Sequence, residues 1–352
     1  MKKESVMFLA KLVDAISPSG FEGDAAQVWK DEIKNYVAQV KSDVHGNSWG
    51  VFNKDNRPRV MLAAHIDEIG YMVKYIDKQG YIYFVPVGGI DPHLVPGQRV
   101  WIKNKGKRIL GVIGKKPVHC LEEMEKKKIS RIEQMWIDIG AKDEKETRKI
   151  VDIGDVAVPA VGFDTLNSDK VIGRAFDDKA GVFAVAQTLK ALVGKKVKAA
   201  VYGVATVQEE VGMRGARTSA YGVTPDVGIA IDVTFATDFP GMDKKKTGDV
   251  KLGGGPTITR GPNINPVVFD LLVKTAKREN IPYQIEAAPS ATGTDANVIQ
   301  LTKAGVATGL VSIPLRYMHT AVELISLKDL DNTIKLLCAF IERLDGKISF
   351  DQ

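Results

Sequence analysis

Arg59-Val60-Met61-Leu62-Ala63-Ala64-His65-Ile66-Asp67-Glu68 is the stretch that decides the fold. Residues 60–64 are apolar without a break, and the run stops at His65. A short continuous apolar run of this kind reads as a strand buried on both faces, as in a sheet covered by helices on each side. Open α/β sheets place their ligands just beyond the carboxyl ends of such strands. The imidazole and two carboxylates that follow therefore stand where chemistry is expected.

Working outward, the same grammar recurs. Strand-like runs at 170–175, 198–207, 227–233 and 306–313 alternate with helical segments, the rhythm of an α/β sheet. One helix carries Val182, Phe183, Ala186, Leu189 and Leu192. The last begins at Ser326-Leu327-Lys328-Asp329, similar to a capping box with Asp for Glu, and shows Leu330, Ile334, Leu337, Ile341 and Leu344. Cys338 beside that stripe reads as a buried, inert thiol. Upstream, Phe8, Leu9, Leu12, Val13 and Ile16, then Val28, Trp29, Ile33 and Val37, predict two helices, followed by a strand-turn-strand over 40–52 around Gly46-Asn47. Between about 73 and 162 the character changes to short β-branched and aromatic strands at 81–87, 99–103 and 108–113. The expected architecture is an α/β domain with a mixed sheet, built from residues 1–72 and 163–352, with a β-rich, barrel-like module at 73–162 inserted.

Composition excludes several classes. The 352 residues carry a net charge of +6, with 44% hydrophobic and 26% charged residues, an ordinary globular balance. No stretch reaches the roughly 18 apolar residues of a membrane helix, and no signal-peptide pattern follows Met1-Lys2-Lys3. Cys120 and Cys338 are the only cysteines, which argues against a disulfide framework and a thiolate zinc site. A cytoplasmic protein is expected. The basic runs Lys126-Lys127-Lys128 and Lys244-Lys245-Lys246 adjoin acidic residues and lack interleaved aromatics, so they read as solvated surface rather than a nucleic-acid interface.

Five elements carry the chemistry: His65-Ile66-Asp67-Glu68, Phe176-Asp177-Asp178, Gln208-Glu209-Glu210, Ile231-Asp232 and Arg316-Tyr317-Met318-His319. Each alone has an ordinary reading as a structural histidine, a helix cap or a solvated acidic pair. Brought to one sheet edge, their carboxylates would repel one another unless cations neutralised them. Oxygen and nitrogen donors without thiolates suit Zn²⁺, Co²⁺ or Mn²⁺. Three carboxylates and two imidazoles suffice for two ions if one carboxylate bridges. In the Glu209-Glu210 pair one carboxylate can bind a cation. Its neighbour stays free to move a proton from attacking water to the leaving amine.

Over essentially its whole length the chain resembles the M42 metallopeptidases, the co-catalytic aminopeptidases that include the tetrahedral (TET) enzymes. The resemblance rests on Ala64-His65-Ile66-Asp67-Glu68-Ile69-Gly70, Arg174-Ala175-Phe176-Asp177-Asp178, Val207-Gln208-Glu209-Glu210-Val211-Gly212, Asp232-Val233, Gly293-Thr294-Asp295 and Arg316-Tyr317-Met318-His319-Thr320. It implies that Asp177 bridges two divalent ions, that His65 and Asp232 complete one, and that Glu210 and His319 complete the other. It implies Glu209 as general base and acid, and Asp67 as the residue that orients His65. Asp178 would cap the following helix. Gly293, Thr294 and Asp295 resemble a segment near the substrate groove. The inserted module resembles a dimerisation domain, with dimers assembling into a tetrahedral dodecamer; His93 lies on one of its loops. The substrates implied are peptides with free N-termini, with no nucleic-acid or membrane partner. Two other readings are an endoglucanase-type glycosidase, which needs two carboxylates and no metal, and a non-catalytic assembly protein with a structural metal site.

Overall fold

The computed structural model describes residues 1–351. Among the described residues, seventeen strands divide between two bodies. β1 (Gln39–Ser42), β2 (Ser48–Phe52) and β3 (Arg59–His65) lead into β4 (Gly70–Ile76), β5 (Ile82–Val87), β6 (Arg99–Asn104), β7 (Lys107–Lys115), β8 (Met135–Asp138) and β9 (Val156–Pro159). They are followed by β10 (Asp164–Asn167), β11 (Lys170–Gly173), β12 (Ala200–Thr206), β13 (Val227–Phe235), β14 (Thr257–Arg260) and β15 (Gln284–Ala287). β16 (Ala307–Arg316) and β17 (Glu323–Ser326) complete the set. The main sheet has the order β1-β2-β12-β3-β13-β16-β17-β11-β10, with β14 joined to β16 and β15 to β14. β4 to β9 close on themselves as a separate barrel in the order β4-β5-β8-β7-β6-β9. The mixed α/β sheet and the β-rich module expected from the sequence are both present.

The central strands are buried on both faces, which is why β3 lacks alternation. Val60, Leu62 and Ala64 pack against the large core, whereas Met61 and Ala63 face the opposite layer with Ala216, Ala220 and Ile299. The helix Phe176–Ala191 is apolar nearly all round, with Val182 to Ala186 fully buried, and lies between the sheet and other helices. Trp29, from the helix Gly23–Ile33, donates its indole N–H to the carbonyl of Val182 at 2.8 Å, so the N-terminal segment is clamped onto that helix. Barrel strands alternate, and their inward residues Val73, Phe84, Val100, Ile102, Ile113 and Ile137 form a second core. No helix among the described residues is long and apolar enough to cross a membrane.

One local expectation is corrected. Ser326 does cap the helix Leu327–Glu342, accepting from the Lys328 N–H at 3.2 Å, but Asp329 does not complete the reciprocal box. Its carboxylate accepts from the N–H groups of Gly253 (2.6 Å) and Gly255 (2.7 Å), a turn distant in sequence that offers two donors.

Strand directions position the site. β12 and β13 run parallel to β3, and β16 runs parallel to β13. β17 is antiparallel to β16 and β11 antiparallel to β17, so β11 points the same way as the other four. The carboxyl ends of β3, β11, β12, β13 and β16 therefore share one edge.

Candidate active site

His65 ends β3, and its Nε2 lies 3.0 Å from Oδ1 of Asp177. Oδ2 of the same carboxylate lies 3.3 Å from Nε2 of His319, which follows β16. Asp177 thus presents one oxygen to each imidazole. Around this axis, His65 Nε2 is 3.9 Å from both Asp232 Oδ1 and Glu209 Oε2, and His319 Nε2 is 3.5 Å from Glu210 Oε2. The fold brings all five candidate ligands and Glu209 into one cluster, with His65, Asp177 and Asp232 buried.

The turns that deliver these groups leave ordinary backbone geometry. Ala175, Gln208, Tyr317 and His319 all have positive φ, between 57° and 67°, although none is glycine. Each such residue costs on the order of 1 kcal/mol. Two buried carboxylates hold the turns in place. Asp67 accepts from the N–H groups of Glu209 (3.0 Å) and Glu210 (3.2 Å) and from Ser19 Oγ at 2.6 Å. Its own carbonyl stands 3.2 Å from His65 Nδ1, closer than its carboxylate at 3.6 Å. Glu323, at the start of β17, accepts from the N–H groups of Asp177 (3.0 Å) and His319 (3.1 Å).

Electrostatics single the cluster out. In the protein alone, burial pushes Glu209 up to about 10 and Glu210 up to about 8, and neighbouring carboxylates add to both shifts. Burial and the charge of Asp177 raise Asp232 well above the carboxylate range. The imidazoles respond oppositely: Asp177 raises His319 to about 9, and although burial opposes it, Asp177 and Asp67 hold His65 well above its usual value. Asp177 is buried yet lies below the ordinary range because both imidazoles contact it. Carboxyls held in excess of local cations are the pattern a cation-binding site produces.

The donor set fits divalent ions. Donor atoms of His65, Asp177 and Glu210 lie within 4.8 Å of one another, as do those of His65, Asp178 and Asp232. Glu210 Oε1 and Asp178 Oδ2 are buried without a hydrogen-bond partner among the described residues, which is costly unless something else satisfies them. Oδ1 of Asp178 caps the helix by accepting from the Gly181 N–H at 2.9 Å, and one oxygen of the same carboxylate lies within 4.8 Å of donor atoms of His65 and Asp232.

The site opens into a cavity of about 610 Å³ whose walls include Thr234, Phe235, Glu286, Met318, Gly293 and Thr294. Asp295 departs from the groove expectation. It is buried, accepts from Thr206 Oγ1 at 2.5 Å, and is raised to about 6 by burial. Gly293 and Thr294 line the cavity, whereas Asp295 is buried outside its wall, where its charge adds to the rise of Glu209 and Asp232. His93 is exposed on a barrel loop. The nearer barrel contribution is Gly88-Gly89: a Cβ on Gly89 would lie 3.2 Å from His319 Nδ1, and one on Gly88 3.5 Å from Glu210 Oε2. Glu323, Ser19, Glu286 and Gly88-Gly89 were not legible as site residues from spacing.

With this geometry in hand, comparison with known proteins is decisive. The family described as M42 glutamyl aminopeptidase matches residues 46–336. The chain belongs to the M42 family. It is 40% identical to a lysyl aminopeptidase of Pyrococcus furiosus over 341 residues, covering 96% of each chain. The structure of a TET aminopeptidase from a marine-sediment archaeon of the Thaumarchaeota superposes with a TM-score of 0.94 at 36% identity, covering 97% of both chains. The TET1 peptidase of Pyrococcus horikoshii, which assembles into a tetrahedron or a large octahedral shell, superposes with a TM-score of 0.87 at 32% identity, covering 97% of this chain and 100% of that one. This M42 protein is accordingly a peptide hydrolase of the aminopeptidase type, and the glycosidase and non-catalytic readings are set aside.

Proposed function

We propose that this M42 protein is a cytoplasmic, co-catalytic two-metal aminopeptidase that removes single residues from peptides with free N-termini. The observation that carries the reading is Asp177, whose two carboxylate oxygens face His65 and His319 separately at 3.0 and 3.3 Å. Asp177, His65 and Asp232 would hold one ion, and Asp177, Glu210 and His319 the other. Zinc and cobalt suit this donor set, and manganese is compatible with it. When bound, two such ions supply acidification of the attacking water and polarisation of the scissile carbonyl.

The chain's own residues do the rest. Glu209, next to a ligand but outside both ligand sets, takes a proton from the attacking water and returns it to the leaving amine. Asp67 fixes the backbone of Glu209 and Glu210 and, through its carbonyl, the plane of His65. Glu323 fixes Asp177 and His319 together. The site carboxylates hold the substrate's ammonium, which restricts cleavage to the first peptide bond.

We further read the barrel as the dimerisation module of a homo-oligomer, with dimers building a tetrahedral dodecamer. Support comes from the assembly of the Pyrococcus horikoshii relative and from exposed Leu110 and Val112 on β7. A particle of single-chain mass by light scattering would contradict it. The activity is tested with aminoacyl-p-nitroanilides and short peptides, free and N-acetylated, before and after chelation and restoration of Zn²⁺ or Co²⁺. Release confined to free N-termini and dependent on metal is expected; release that survives chelation would overturn the proposal.

A further inference from the structure

Beside the cluster, the cavity wall carries one more carboxylate. Glu286 lies on β15, and both its oxygens are engaged by hydroxyls from other strands: Thr234 Oγ1 donates to Oε1 at 2.9 Å and Thr257 Oγ1 to Oε2 at 3.1 Å. Thr234 and Thr257 are buried, so the carboxylate is held in one orientation. Thr234 stands two residues after Asp232 on β13, on the same strand face and about 7 Å further along. Glu286 therefore sits one step beyond the proposed ions.

The charge at this position has no internal answer. Among the described residues Glu286 makes no ion pair, and no lysine or arginine lines the cavity. On the proposed function, Asp177, Glu209, Glu210 and Asp232 serve the ions, the proton transfer and the substrate's terminal ammonium, which leaves Glu286 as the uncommitted negative charge. Apart from Glu286 and the His–carboxylate cluster, the residues that line the cavity are apolar or neutral, among them Met213, Phe235, Met318, Thr292 and Thr294. An apolar-sided pocket ending in a fixed carboxylate suits a long aliphatic stem with a cationic tip. It disfavours a substrate carboxylate through repulsion and desolvation.

We propose that Glu286 is a specificity-determining residue that selects peptides whose N-terminal side chain is lysine or arginine. The inference rests on the aminopeptidase reading and concerns only which side chain enters that site. The test uses the full-length, metal-restored enzyme with lysyl-, arginyl-, leucyl- and glutamyl-p-nitroanilide, comparing kcat/KM. The wild type should favour the two basic substrates over leucyl and leucyl over glutamyl, with lysyl exceeding glutamyl by about 100-fold. Glu286→Gln should lower the lysyl-to-leucyl ratio by about tenfold or more. A wild type that prefers leucyl or glutamyl overturns the inference while leaving the aminopeptidase reading intact. An active Glu286→Gln that loses all substrates equally, or keeps its selectivity, does the same. Silence of the loaded wild type on all four substrates overturns both. The wild-type ratios decide the matter even where the variant does not fold.

Discussion

Within four residues, His65 to Glu68, the chain feeds two groups of buried charge that are compensated in opposite ways. Glu68 meets Arg174 at 3.0 Å and Lys179 at 2.8 Å, and all three side chains are buried. Ser17 donates its N–H to Glu68, and Lys179 and Arg174 donate to the carbonyl of Ala15 at 2.6 and 3.0 Å. Burial pushes Glu68 up, but the Arg174 and Lys179 charges outweigh it and hold the carboxyl below its ordinary range. Lys179 loses more to burial than it regains from Glu68 and falls to about 8, which leaves it charged at neutral pH. The other group, from His65 to Glu323, sets two imidazoles against seven carboxyls (Asp67, Asp177, Asp178, Glu209, Glu210, Asp232 and Glu323), and burial raises Asp178, Glu209, Glu210, Asp232 and Glu323. A group that contains its own cations is a structural clamp. One whose carboxyls outnumber its imidazoles suits cations supplied from outside, as the proposed function requires.

The largest expected effect sharpens the second half of that contrast. Glu209→Gln should cut kcat by roughly 10²–10⁴, the scale for loss of a general base, while metal content measured by elemental analysis stays near that of the wild type. Near-normal turnover with metal loaded would remove Glu209 from that role.

The smaller effect sharpens the first half. Glu68→Gln should lower unfolding free energy by about 3–5 kcal/mol, because Arg174 and Lys179 lose their buried counter-charge. Metal content per folded chain should not change. As the folded carboxyl is held below its unfolded value, the Glu68 contribution is full above roughly pH 5 and is lost as pH falls through the folded value. Denaturant unfolding at pH 7.5 and pH 4 should therefore show the gap between variant and wild type narrowing in acid. A constant gap would contradict the clamp.

The sequence made one group far more legible than the other. His65, Asp177, Glu209, Glu210, Asp232 and His319 each sit at or just past the end of an apolar run, so strand reading alone placed them on a common edge. The sheet and the barrel were legible for the same reason, since β3, β12, β13 and β16 are predominantly apolar runs and the barrel strands alternate. Glu323 and Glu286 were hidden because Val322-Glu323-Leu324 and Ile285-Glu286-Ala287 look like ordinary strand alternation. Their partners, Asp177 and Thr234, come from sequence positions 146 and 52 residues away. Asp295 differs for the converse reason: the Gly-Thr-Asp segment resembles one near the substrate groove, yet Asp295 is buried with its carboxylate on Thr206, the register partner of His65. Arg174 and Lys179 flank the Asp177-Asp178 pair, but only the packing of the N-terminal segment brings Glu68 and Ala15 to them.

The most direct test of the two-ion account is a titration of chelator-stripped protein with Zn²⁺ or Co²⁺, following bound metal and peptide hydrolysis together. Two equivalents bound per chain, with hydrolysis of free N-terminal peptides returning as the site fills, is the predicted result. Full activity with no more than one equivalent bound would contradict the proposal that Asp177 is shared between two ions and the account built on it.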